Sequence, residues 1–501
     1  MTLSNSIRSH PSRQSNTISA RATLAAVSVP RVRVTFPCGR CTPAACAIPA
    51  PAAAQLRHAS RNHRRSPAGT ARPTFSRRSR GSSAQPSGWV CAGPRGGAGP
   101  GGGGAGPKGG GGGDDGEVDV ASCQGFQNGP GITDTTIAIG NSSDISGPVP
   151  GLFESAQDAT KAFVTYFNAA NPDGICGRSL VLRNADSQTD AGADQRNYAD
   201  ACKSVFAMVG SMSAFDSGGA GTAESCGLPD IRSAGVTRER QACATCYGAQ
   251  STIAGEVNNA IADYTLENFP AAAKAAAMLY INAGASAENG QAVPKALSKR
   301  GMVFKYVQGI DISEFNYAPF VQTLKDRGIR YVQMVGAVPQ FVRMAQAMRQ
   351  QGYEPDVFMF DPTAYDPAML EQGGEAVEGA TVYTNFVPFE EAGRSPETRL
   401  YLSWLQQAKP GAVPDFFGVF AWSAARLFVE EAAALGGRLS RPALVEAVRE
   451  VDAWTANGLH SPQRVGPKRT GECFRFIQVR NGRWVPVGGS AYRCKGTTTV
   501  D

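Results

Sequence analysis

The stretch "VFAMVGSMSAFDSGGAGTAESCGLPDI" (Val205–Ile231) holds two short apolar runs separated by small residues. Val205–Val209 has the length and composition of a buried strand, and Leu228–Ile231 begins another. Between them lie Ser211, Ser213, Ser217 and a cluster of glycines. In an α/β protein such a loop cradles a phosphate, presents a nucleophile or lines a binding cleft. The rest of the chain decides between these.

Working outward, apolar runs alternate with amphipathic segments from Ile132 onward. "TIAIGN" (Thr136–Asn141) reads as a buried strand, and Leu152–Ala170 follows with Phe153, Ala156, Ala159, Phe163 and Phe167 at helical spacing. A second series starts near Ile253, with strands "AAMLYIN" (Ala276–Asn282), "MVFKYVQ" (Met302–Gln308), "IRYVQMVG" (Ile329–Gly336) and "DVFMFD" (Asp356–Asp361) separated by helices. Strands alternating with helices imply parallel sheets joined by right-handed crossovers. Past Val382 come three helices, Pro396–Ala408, Asp415–Leu435 and Arg441–Val451. The tail "CFRFIQVRNGRWVPV" is then a hairpin turning at Asn481-Gly482. Open sheets of this kind bind ligands beyond the carboxyl ends of their strands.

Charge divides the chain. Residues 1–113 hold 15 Arg, one Lys and no acid, whereas the remainder has 33 basic against 42 acidic residues. The basic surplus is thus confined to a leader rich in Ser, Pro, Ala and Arg that ends in a glycine run, so the folded part does not read as a nucleic-acid binder. Such a leader buries no core and is expected to be disordered over residues 1–130. "ATLAAVSV" (Ala22–Val29) is a poor secretory signal. The composition suits an organellar transit peptide, but a wrongly called start codon or a frameshift in GC-rich DNA would look similar and is preferred. No run of 18 apolar residues occurs. Eight cysteines follow the leader, an even number that fits a disulfide framework in an oxidising compartment.

Catalytic motifs fail in turn. "GGAGTAE" (Gly218–Glu224) nearly matches a dinucleotide fingerprint, but Glu224 stands where Gly or Ala is needed, and no acidic ribose reader follows. A nucleophile elbow, G-x-S-x-G, would need Ser two positions after Gly210, where Met212 stands. His460 is the one histidine beyond the leader and reads as a solvated loop residue, too little for His-based metal or acid/base chemistry. Cys243-x-x-Cys246 finds only Cys226 as a nearby third ligand, so zinc is not expected. Of the carboxylate pairs Asp361/Asp366 and Glu390/Glu391, the second reads as solvated, while Asp361 ends a strand. No enzyme activity, metal or cofactor is expected.

Three stretches resemble the periplasmic leucine/isoleucine/valine-binding proteins, the type I solute-binding proteins of ABC importers. Ile137–Cys202 carries Ser146-Gly147-Pro148 after the first strand and the G-R-x-L of Gly177–Leu180. Phe320–Pro388 carries the G-x-x-x-E-G of Gly374–Gly379 before a return crossover, and Phe417–Gly437 resembles the family's long C-terminal helix. The likeness spans about 132–490. It implies two Rossmann-like α/β lobes joined by three crossovers, 131–252 plus 383–465 and 253–382 plus 466–501, closing over a small polar ligand such as an amino acid, amide or related acid.

In that family the loops after strands three and four hold a ligand carboxylate. The matching positions are Ser213, Ala214, Phe215 and Asp216, then Gly235, Val236 and Thr237, with Ser211 nearby. Asp361 stands where an acid would bind the ligand ammonium, with Tyr365 as a cap. The second lobe departs from the pattern: "AGASAENG" (Ala283–Gly290) and "AVPQ" (Ala337–Gln340) lack the expected aromatics, and Asp216 is unfavourable beside an anion. The resemblance also implies pairing of Cys176 with Cys202 and of Cys473 with Cys494. Cys226 would then pair with Cys243 or Cys246, and the one left over with Cys123. It implies an extracytoplasmic monomer that hands its ligand to an ABC permease, or alternatively a sensing module acting through a partner receptor.

Overall fold

The apolar runs become two sheets. In the computed structural model, which describes residues 119–500, β1 (Thr136–Ser143), β2 (Ser179–Asp186), β3 (Ala207–Val209), β4 (Asp230–Ala234) and β5 (Cys246–Gln250) form a parallel sheet in the order β2-β1-β3-β4-β5. β6 (Glu256–Asn258) leads into the second sheet, built from β7 (Ala276–Ile281), β8 (Phe304–Ile310), β9 (Tyr331–Val335), β10 (Val357–Phe360), β11 (Thr381–Thr384), β12 (Cys473–Arg480) and β13 (Arg483–Val487). Its order is β13-β12-β11-β10-β9-β7-β8, parallel except where β12 runs antiparallel to β11 and β13. β14 (Arg493–Cys494) pairs with β12, and β15 (Thr497–Thr499) pairs with β6.

The chain passes between the sheets three times: from β5 to β6, from β11 to the helix Pro396–Ala408, and from the helix Arg441–Arg449 to β12. This is the two-lobed parallel α/β architecture expected from the alternating pattern. The first lobe's core is helix on helix on sheet. Glu154–Ala170 packs against Phe416–Leu435, with the Phe163 and Trp422 rings 4.9 Å apart and Tyr166 stacked on Trp422. Full burial of rings of this size contributes about 1.5–3 kcal/mol each.

The glycines of the opening stretch have a packing role. Ser217–Ser225 is a helix despite Gly218, Gly219 and Gly221, which cost helix propensity. A methyl group on Gly218 would stand 1.8 Å from the Ala191 carbonyl oxygen, and one on Gly219 2.4 Å from the Tyr198 ring. Only glycine lets this helix lie directly on its neighbour Ala191–Ser204.

That packing also corrects the disulfides. The two helices end side by side, so Cys202 bonds Cys226 with Cα atoms 6.0 Å apart, rather than Cys176. Cys176 bonds Cys123 instead, and Cys243 bonds Cys246 within its own turn, so Cys226 pairs with neither of those two. Cys473 bonds Cys494 across the β12–β14 pair.

Residues 121–126, which fall inside the leader expected to end at residue 130, pack on the folded part. Ala121 N–H donates to the Ala433 carbonyl (2.9 Å), Gly437 N–H donates to that of Ser122 (2.8 Å), and the Arg178 guanidinium lies over the Phe126 ring. The reading of residues 1–118 as leader and linker lies outside the described residues.

Candidate functional site

A cavity of about 240 Å³ lies between the two sheets, at the carboxyl ends of their parallel strands. Its walls come from both: Met212, Ala214, Phe215 and Val236 after β3 and β4, and Ile281 at the end of β7 with Gly336, Gln340 and Asp361 after β9 and β10. Phe416 and Phe417, the first residues of the long C-terminal helix, and Phe474 add an apolar floor. The lining is mostly apolar, with a few convergent polar groups, as in small-molecule sites generally.

The loops after β3 and β4 do present hydroxyl and N–H donors, but these donors are already satisfied inside the protein. Asp144, just after β1, is buried and accepts hydrogen bonds from Ser213 Oγ (2.9 Å), Ser187 Oγ (2.5 Å), Ala214 N–H (2.8 Å) and Thr189 N–H (3.1 Å). Burial raises its pKa, and these bonds oppose the shift. Asp216 accepts from Thr237 Oγ1 (2.6 Å), Thr237 N–H (3.1 Å) and Val236 N–H (2.9 Å). It belongs to a fully buried cluster with Arg232, Arg240, Asp194, Asp230 and Tyr198, in which Arg240 joins Asp194 to Asp230 at 2.8 Å each. Ser213, Asp216 and Thr237 therefore face the protein's own interior and do not line the cavity, whereas Ala214 and Phe215 do. Ser211 likewise turns inward, its Oγ accepting from Ser142 N–H.

In the second lobe, Asp361 lines the cavity and is 8% exposed. Its Oδ1 accepts from Thr363 N–H (2.8 Å), while Oδ2 has no partner. Burial, partly offset by the bond from Thr363, pushes its pKa up to about 6. Gln340, 4% exposed, also lines the cavity, and its Oε1 is likewise without a partner. Glu256, the other carboxylate of the lining, is taken: it accepts from Arg469, Thr470 N–H and Thr497 Oγ1, which outweigh burial and lower its pKa.

Tyr365 lies away from the cavity. Its ring stacks on Phe389, and its hydroxyl donates to Glu390 while accepting from Phe389 N–H (2.8 Å). Glu390 and Glu391 are not simply solvated, since Glu391 pairs with buried Arg475. His460 is buried, not a solvated loop residue. It sits 2.8 Å from Ser423 Oγ and 2.9 Å from the Ser461 carbonyl, and burial pushes its pKa down to about 4.

The lobes touch at the cavity mouth. Ala285 N–H, in the first turn of the helix Gly284–Lys299, donates across the cleft to the Ala214 carbonyl (3.2 Å). A methyl group on Gly284 (φ +48°) would stand 2.4 Å from that same oxygen and 3.5 Å from the Phe215 ring. Phe215 thus enters from the first lobe beside a second-lobe loop that lacks an aromatic of its own. Gln340, Phe416 and Phe417 were not singled out from sequence. A weak signal existed for Gln340, which follows a strand end and opens the helix Val338–Gln350.

Residues 136–483 match the family model described as periplasmic binding protein. No curated protein matches the chain in sequence. Among solved structures, the fatty acid ABC transporter substrate-binding protein from Thermomonospora curvata is 20% identical with a TM-score of 0.63, covering 74% of this chain and 95% of its own. A leucine-binding protein from Thermotoga maritima is 15% identical (TM-score 0.58; 73% and 99% covered). A solute-binding protein of an ABC transporter from R. palustris, in complex with 4-hydroxybenzoate, is 16% identical (TM-score 0.59; 73% and 97% covered). At these identities the likeness is one of fold.

Proposed function

The chain belongs to the periplasmic binding protein family, and from that premise we propose that it captures a small organic ligand in the cleft by lobe closure and delivers it to an ABC permease. One observation carries the reading: the cavity is walled by both sheets, apolar over most of its surface, and holds the unpartnered Oδ2 of Asp361. A ligand with an apolar body and one polar head fits this surface better than a small, wholly polar solute. Ala214, Phe215 and Asp361 are its proposed contacts, now joined by Gln340 and Phe417.

The lobes, 131–252 plus 383–465 and 253–382 plus 466–501, would swing about the three crossovers, and closure presents the surface a permease reads. The protein would act as a monomer outside the cytoplasm. No helix among the described residues is long and apolar enough to cross a membrane.

A thermal-shift and calorimetric screen of the full chain tests the proposal, using amino acids, amides, amines, aromatic acids and fatty acids. A ligand at 100 times its Kd should add about 2.7 kcal/mol of stability. Ala283→Trp, which fills the cavity from its second-lobe wall, should abolish that shift. A shift that survives it would place binding elsewhere and refute the cleft.

A further inference from the structure

We infer that the ligand is a protonated amine carrying an apolar body and no carboxylate, held by Asp361 and Gln340. The inference rests on the proposed cleft-binding function and names its ligand class. In the described residues the cavity lining contains no Lys, Arg or His. The donors after β3 and β4 that would receive a ligand carboxylate are instead engaged with internal carboxylates. Ser213 Oγ and Ala214 N–H hold Asp144, and Thr237 Oγ1, Thr237 N–H and Val236 N–H hold Asp216. The nests of N–H and hydroxyl donors that suit an anion are therefore filled from within. On the second-lobe wall, the Ala285 N–H at the start of the helix Gly284–Lys299 is bonded to the Ala214 carbonyl.

The lining's unmet needs are those of acceptors. Asp361 Oδ2 and Gln340 Oε1 are both buried and without a donor, and a buried acceptor left unpaired is destabilising, more so when charged. An ammonium brings N–H donors for both together with a charge opposite to that of Asp361. A carboxylate placed there would meet like charge in a half-buried cleft and find no cationic partner. The apolar walls at Val236, Ile281, Phe417 and Phe474 then take a hydrocarbon or aromatic body.

Two matched trios test this by calorimetry on the full chain: isoamylamine, leucine and isocaproate, then phenethylamine, phenylalanine and hydrocinnamate. Within a trio the body is shared, and only the charged groups differ. In at least one trio the amine should bind ten times tighter than the amino acid or more, and the acid should not bind. Asp361→Asn should weaken that amine at least tenfold, and Gln340→Leu several-fold. Should Asp361→Asn fail to fold, wild-type amine affinity must still rise with pH between 5 and 7 as the carboxyl ionises. An amino acid or acid bound as tightly as its amine overturns the inference, while binding blocked by Ala283→Trp would leave the solute-binding function intact. Silence from all six, followed by a blank wider screen, overturns both.

Discussion

Thr237→Val separates a ligand-binding role for this residue from an internal one. The two side chains are nearly isosteric, so the change removes one hydroxyl and leaves the packing in place. Thr237 Oγ1 donates to Asp216 at 2.6 Å, both residues are buried, and Asp216 keeps two backbone N–H donors after the substitution. A hydrogen bond to a charged group is worth roughly 1.5–3 kcal/mol. The hydroxyl also accepts from Arg240 N–H at 3.4 Å, long enough to add little. The expected loss is about 2 kcal/mol. With a urea slope of about 3 kcal/mol/M for a domain of this size, the midpoint should fall by about 0.7 M. Calorimetry on the same variant, kept well below its transition, should show ligand affinity changed less than twofold. A tenfold loss of affinity with an unmoved urea midpoint would refute the internal role and return Thr237 to the ligand.

Asp361→Asn should stabilise the ligand-free protein at neutral pH. Its folded-state pKa of about 6 lies above the usual 3.8, so the folded protein holds a proton that the unfolded chain releases between those values. Stability is therefore lost as pH rises through roughly 4–6, by up to about 3 kcal/mol. The variant's advantage over wild type should appear across that window in urea titrations, and equal curves at pH 4 and pH 8 would contradict it. Gly284→Val sets a side chain against the Ala214 carbonyl at a left-handed φ. It should hold the lobes apart, seen as a larger radius of gyration in the presence of ligand and at least tenfold weaker binding. Peptide mapping without reduction should recover Cys123–Cys176 and Cys202–Cys226. Cys202→Ser with Cys226→Ser should cost about 3 kcal/mol in the chain-entropy picture for a separation of 24 residues.

Periodicity and turn chemistry are local, and the features that depend on them could be read from the chain alone. The alternation from Ile132 to Asp361 determines two parallel sheets, because a strand buried on both faces must be apolar throughout and its crossover helix amphipathic. Asn481-Gly482 marks the β12–β13 hairpin because its backbone suits a tight turn, and Cys473 and Cys494 lie close along the chain. Tertiary structure alone decided which partner each polar group meets. Ser213 finds Asp144, 69 residues away, and the choice between that carboxylate and a ligand's is invisible in a run of Ser and Gly. Cys202 pairs with Cys226 because Gly218 and Gly219 bring two helices into contact, a distance no spacing rule encodes. Gln340 and Asp361 reach one cavity from two crossovers, and their lack of donors is a property of the space around them.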